Sequence, residues 1–187
     1  MDRVPPLSHC DDPLVHQLFI AIITLLTLFC EFSETVAHLT AKRLFEDVSL
    51  SLNDNGRETG LFNCLEVPSD EVKLAVVDCL NNVPLSKFDN EEISHLIKQL
   101  SQCKNIGAGK TEVVIAKIIW IITKLAKERD EEAGNSFRLK FGDRAINEVI
   151  EIMLRNQARR VEDKEEGQEK LALSLSCLQF LKYSKCQ

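Results

Sequence analysis

Apolar residues recur along this chain at steps of three and four, the spacing of one helix face. No segment reads as a strand. Asp12 before Pro13 reads as an N-cap with proline at the first helical position, predicting a helix to about Cys30. Ser33 opens a second helix, with Ala37, Ala41, Leu44, Phe45, Val48 and Leu52 as its stripe. The polar, glycine-marked NDNGRETG (53–60) predicts the loop that ends it, and residues 61–67 a short helical turn. Ser69, with Asp70 and Glu71 in the first turn, caps a third helix that stops at Pro84. Asp89 or Asn90 begins the next, with Ile93, Leu96, Ile97 and Leu100 on one face. KNIGAGK (104–110) is expected to be a loop, and residues 111–128 an apolar helix closed by the charged run ERDEE. A helix over 143–158 carries Ile146, Val149, Ile150 and Met153. The polar RRVEDKEEGQE then leads to a final helix, KLALSLSCLQFLKYS. Residues 1–12 have no period and are expected to form a flexible leader before a single helical domain, 13–187.

Two of these helices repeat one another. Val72, Val76, Val77, Leu80 and Val83 align with Val114, Ile118, Ile119, Ile122 and Leu125, and a polar loop with a shorter helix precedes each copy. The helix before the second copy has its counterpart in AINEVIEIML (145–154), before the last helix. A helical period near ~40 residues is the mark of units that stack because none buries its own apolar face.

HLIKQLSQCKN resembles the second helix of an armadillo repeat, and AVVDCLNNV and IIWIITKLA resemble its long third helix. HEAT repeats are similar in shape, and both readings stay open. Residues 69–126 carry the likeness in their motifs; 13–52 and 137–183 share only helix order and apolar spacing. The resemblance implies an all-α, right-handed α-solenoid of about three to four repeats, binding extended peptides or proteins along a groove lined by third helices. In the best-known peptide binders of this family, a Trp and an Asn one turn later recur on that helix. Here Trp120 is followed by Lys124, Asn82 is preceded by Asp78, and the final helix would place Ser176 and Phe180 there. Neither full copy keeps both residues, so a groove for nuclear-signal peptides is not expected.

Composition narrows the reading further. With 7 glycines and 5 prolines in 187 residues, an all-β fold with a turn every few residues is not expected. The net charge of −6 repels phosphate backbones, so nucleic-acid binding is not expected either. Seven cysteines without a C-x-x-C pair, three of them (Cys30, Cys79, Cys177) inside apolar patterns, fit a reducing compartment, the cytoplasm or else the nucleus. Residues 13–30 hold no charged side chain and approach the length of a membrane span. His16, Gln17, Thr24 and Thr27 interrupt them, acidic residues flank them, and no Lys or Arg anchors either end. A helix buried on nearly all sides is therefore expected, with membrane anchoring as the alternative.

No enzyme is expected. NIGAGKTE lacks the first glycine of a phosphate-binding loop, that position being Lys104, and no strand precedes it. The histidines (9, 16, 38, 95) show no ligand spacing, so neither metal nor cofactor is expected. The acidic runs at 130–132 and 162–166 read as solvated loops. Lys117, Trp120 and Lys124 share one helical stripe, a plausible contact for an acidic or apolar partner. Asp78 and Asn82 form the equivalent pair on the preceding copy. The expected function is a non-catalytic scaffold holding a protein or peptide on these five residues. The first and last helices are apolar where a solenoid cap shows a polar face, which implies a longer solenoid or a partner covering an end.

Overall fold

The computed structural model describes residues 13–45, 65, 67, 69–102, 110–133, 136–161 and 164–185. Outside them lie the leader, the 53–60 loop, most of the 104–110 loop with its phosphate-loop-like glycines, and Cys10, Cys64, Cys103 and Cys186. Among the described residues every regular element is helical: α1 (Pro13–Phe32), α2 (Glu34–Phe45), α3 (Asp70–Asn81), α4 (Asn90–Gln102), α5 (Thr111–Ala133), α6 (Asp143–Ala158) and α7 (Lys164–Lys185). They gather into two compact units, Met1–Lys87 and Phe88–Gln187.

In the first unit α1 packs on α2 and α3. Ser33 is the joint between α1 and α2. Its N–H closes on the Phe29 carbonyl at 3.1 Å, and its hydroxyl accepts from Val36 N–H at 3.3 Å. Ser69 caps α3 as expected, its hydroxyl accepting from Val72 N–H at 3.4 Å. Cys79 of α3 sits with Thr27 and Cys30 of α1, and burial pushes its thiol up to about 11. Leu65, Val67 and Val83 are also buried.

The expectation that α1 is buried on nearly all sides does not hold. Only 17% of its most apolar stretch is inside, chiefly Ile23, Thr27 and Cys30. The physical reason is supply. Two neighbouring helices cover one side, while Leu14, Leu18, Leu25 and Phe32 are exposed on the other.

In the second unit α4 packs on α5 and on α6, and α7 packs on α5 and on α6. Two helical pairs, α4/α5 and α6/α7, thus meet with α6 against α4 and α7 against α5. Asp89 caps α4 in a capping box: its carboxylate accepts from Glu91 N–H at 2.7 Å, and Glu92 accepts from Asp89 N–H at 2.8 Å. Ile93, Leu96, Ile97 and Leu100 are buried as their spacing implies.

Two acidic runs differ from expectation. ERDEE does not close α5 but continues it to Ala133. Asp130 is buried, accepting from the backbone N–H groups of Phe137 and Arg138 at 3.0 and 3.3 Å and from the Tyr183 hydroxyl at 3.2 Å. Arg129 donates to Asn90 and to the Phe88 carbonyl. These charges find partners within the unit, so the chain stays helical where solvation would have favoured a loop. At the other run α7 begins at Lys164, with Glu165 and Glu166 in its first turn, where negative charge suits the dipole.

Candidate functional site

The five residues singled out by spacing fall into two groups. Asp78 and Asn82 lie at the C-terminal end of α3 in the first unit. Lys117, Trp120 and Lys124 lie on α5 in the second.

Around the first group α1 and α3 leave an open cleft of about 410 Å³. Thr24, Thr27, Leu28 and Glu31 line it from α1, and Ala75, Asp78, Asn81 and Asn82 from α3 and its end. The helical period explains the two walls, since positions 24, 28 and 31, like 75, 78 and 82, share a face. Asn82 leaves the helix at φ −98° and ψ 0°, its own N–H returning to the Cys79 carbonyl at 3.1 Å. That turn aims its side-chain amide across the cleft mouth, where it donates to the Asp78 carbonyl at 3.2 Å and to Glu31 at 3.5 Å. The Thr27 hydroxyl donates to the Ile23 carbonyl at 2.8 Å, so this buried polar group is satisfied within its own helix.

Two carboxylates and two amides share the cleft, and none of the lining residues is basic. Such a lining offers amide donors to backbone carbonyls and acceptors to cations or N–H groups. Spacing missed the α1 wall. Thr24 and Glu31, two turns apart on one face of a largely apolar helix, were the available signal.

In the second group Trp120 is 42% exposed, whereas Ile118, Ile119, Ile121 and Ile122 around it in sequence are buried. The Lys124 ammonium stands 5.4 Å from the ring centroid, a cation–π distance. Burial of its stem holds that ammonium below its ordinary value. Lys117 is half-buried one turn before the Trp. The result is an exposed aromatic ring with one cation over it and a second lysine one turn away. Phe180, at the matching place on α7, is instead in the core beside Asp130 and Tyr183, next to a cavity of about 10 Å³.

Spacing also missed the polar ties of the second unit. Glu112, 1% exposed, pairs with Arg159, which reaches Glu166 at 3.5 Å. Asn156 donates to the Lys170 carbonyl at 2.9 Å and to Ser174 at 3.0 Å. Among the described residues no group of three or more His, Cys, Asp or Glu side chains is placed to hold a metal ion. Comparison with family models, with curated proteins and with solved structures finds no match for this chain.

Proposed function

We propose that this protein is a non-catalytic interaction scaffold, holding a peptide or helical segment of a protein partner on helix-lined surfaces. The observation that carries the reading is the cleft between α1 and α3, with Asp78 and Asn82 beside Glu31. Asn82 supplies a side-chain amide at the end of a helix, the chemistry that fixes an extended backbone, and the carboxylates favour a partner segment bearing Lys or Arg. The exposed Trp120 with Lys117 and Lys124 is the second contact, since Trp anchors are enriched where interfaces concentrate their energy. An armadillo- or HEAT-like solenoid of three to four repeats is the architecture proposed for it. The meeting of α6 with α4 and of α7 with α5 supports that reading, because stacked repeats pair like helices with like. The proposed setting is the cytoplasm or nucleus.

Affinity enrichment with wild type, Asp78→Ala/Asn82→Ala and Trp120→Ala/Lys124→Ala, read by mass spectrometry, tests this. Circular dichroism confirms that helicity is kept. Partners lost from either variant are expected; an identical partner set for all three proteins removes the reading.

Membrane association through α1 is the second reading, favoured by one observation: by length and composition α1 could cross a membrane, and most of its apolar stretch is uncovered. Carbonate extraction separates the two, since an anchored chain stays with the membrane pellet.

A further inference from the structure

On α1, Leu18, Ala21, Leu25, Leu28 and Phe32 are exposed, separated by alternating steps of three and four. That is the seam spacing of helices that pack along their length. Ile22 and Phe29 flank the seam on one side and are exposed as well. At about 200 Å² for a fully exposed Leu, Ile or Phe, these side chains present roughly 700 Å² of open apolar surface. The largest apolar patch on an ordinary monomer is about 300–600 Å². One partner's share of a standard interface is ~800 Å², so the α1 face has the size of half a dimer contact.

The seam also fits itself. Laid antiparallel about a two-fold axis level with Ile23, Leu18 meets Leu28 of the second copy, and Ala21 meets Leu25 of the second copy. The smallest side chain of the seam then faces a large one in both central layers, the alternation that lets facing helices interdigitate. A parallel pairing would set Ala21 against Ala21 and leave that layer underfilled. One surface supplies both halves, as a two-fold contact requires, and such a contact closes at two copies.

A lipid surface fits less well. A helix lying in a membrane interface backs its apolar face with a polar face rich in Lys and Arg, and α1 contains neither. Its opposite face packs instead on α2 and α3, with Ile23, Thr27 and Cys30 buried. Thr24 and Glu31, on the wall of the α1–α3 cleft, lie about 100° round the helix from Leu25 and Phe32. The cleft therefore opens beside the seam, and only Leu28 belongs to both.

We infer that the α1 face binds the α1 face of a second copy of this chain, antiparallel, as a two-fold dimer.

Sedimentation velocity of the full chain tests this. Wild type is expected to pass from monomer to dimer as concentration rises and to stop there. Ala21→Glu and Leu25→Lys each place a charge in both central layers, so each alone is expected to lose the dimer. An equal mixture of the two is expected to recover a one-to-one dimer, since one central layer then pairs Glu with Lys and the other is wild type. Leu175→Lys on α7, at the same fractional exposure as Leu25, is the control and is expected to dimerise like wild type. Glu and Lys are good helix formers, and circular dichroism verifies that helicity is kept. The inference is overturned by a wild type that stays monomeric at every concentration or grows past a dimer. It is overturned equally by a single variant that dimerises as wild type does, by a mixture that stays monomeric, or by loss of the dimer in the control. A monomeric wild type that floats with phosphatidylcholine–phosphatidylserine vesicles would assign the face to lipid instead.

Discussion

Asp130 joins three parts of the second unit through one side chain. One carboxylate takes two backbone N–H groups at the start of the π-helical turn Arg138–Gly142 and the hydroxyl of Tyr183 from α7. Removing it strands donors in a place that water does not readily reach, which costs more than the bonds themselves are worth. Asp130→Ala is expected to lower stability by about 3 kcal/mol, and Tyr183→Phe by about 1 kcal/mol, both read from urea midpoints. Asp130→Asn keeps a carbonyl acceptor but brings an amide that needs partners of its own, so it should fall between them. The cysteines give a second test at this scale. Burial pushes the thiols of Cys79 and Cys177 up to about 11 in each case, so at pH 8 both are protonated as well as covered. Mapped alkylation of the native protein should leave these two unlabelled, and denaturation should expose both. Labelling of either at the rate of a free thiol would show that its helix opens readily.

A helix start in this chain is decided by its cap, and α4 shows how that couples to pH. Asp89 and Glu92 share the capping box. Burial, then the bond to Asp89, pushes the Glu92 carboxyl up to about 7, while the same bond holds Asp89 below its ordinary value. The signs differ. A raised carboxyl binds its proton more tightly when folded, so the stability it contributes is complete below 4.5 and is lost as pH climbs through about 7. The lowered Asp89 contributes stability that is present above 3.8 and is lost as pH falls through its folded value. Between pH 5 and 8 it is the Glu92 member of this pair whose charge changes. Wild type should therefore lose stability across that range, and Glu92→Gln should lose less, as urea midpoints at the two pH values would show. Such caps were legible in the sequence: Ser33 and Ser69 each start a helix where a short polar residue precedes an apolar period, and of the two candidates for α4, Asp89 and Asn90, the structure uses Asp89. So was the inward stripe of α4. The length of α5 was not, because ERDEE looks solvated until Arg129 and Asp130 are seen to meet Phe88 and Phe137, partners that only folding brings near. The outward face of α1 was illegible for a related reason. An apolar residue looks the same in a sequence whether its neighbour is the core or empty space. The cleft was half legible: the α3 pair followed from spacing, whereas Glu31 and Thr24 joined it only through the packing of α1 on α3.

At the scale of the whole chain the two units differ in how they are held. The first relies on apolar burial along α3, where Val72, Val76, Val77, Cys79 and Leu80 are fully covered. The second adds buried polar ties, among them the ion pair of Glu112 with Arg159, with side chains 1% and 12% exposed. This pair connects the first turn of α5 to the segment after α6, and the second Glu112 oxygen has no hydrogen-bond partner. A buried ion pair is a poor source of net stability, because desolvation cancels most of the attraction, yet breaking it from one side is costly. Arg159→Ala should then destabilise the second unit by about 3–5 kcal/mol by leaving the Glu112 carboxylate buried and unpaired. Glu112→Met/Arg159→Met, which removes both charges and restores apolar volume, should return stability to near that of wild type or above it. The composition supplies the means of seeing this unit separately. Trp120 is the only tryptophan and lies on α5, so its fluorescence reports the second unit, whereas far-ultraviolet circular dichroism sums the helices of both. The single variant should move the Trp120 transition to lower urea, and the double variant should move it back. If Arg159→Ala left that transition in place, the pairing of Glu112 with Arg159 would contribute nothing to holding α5 and α6 together.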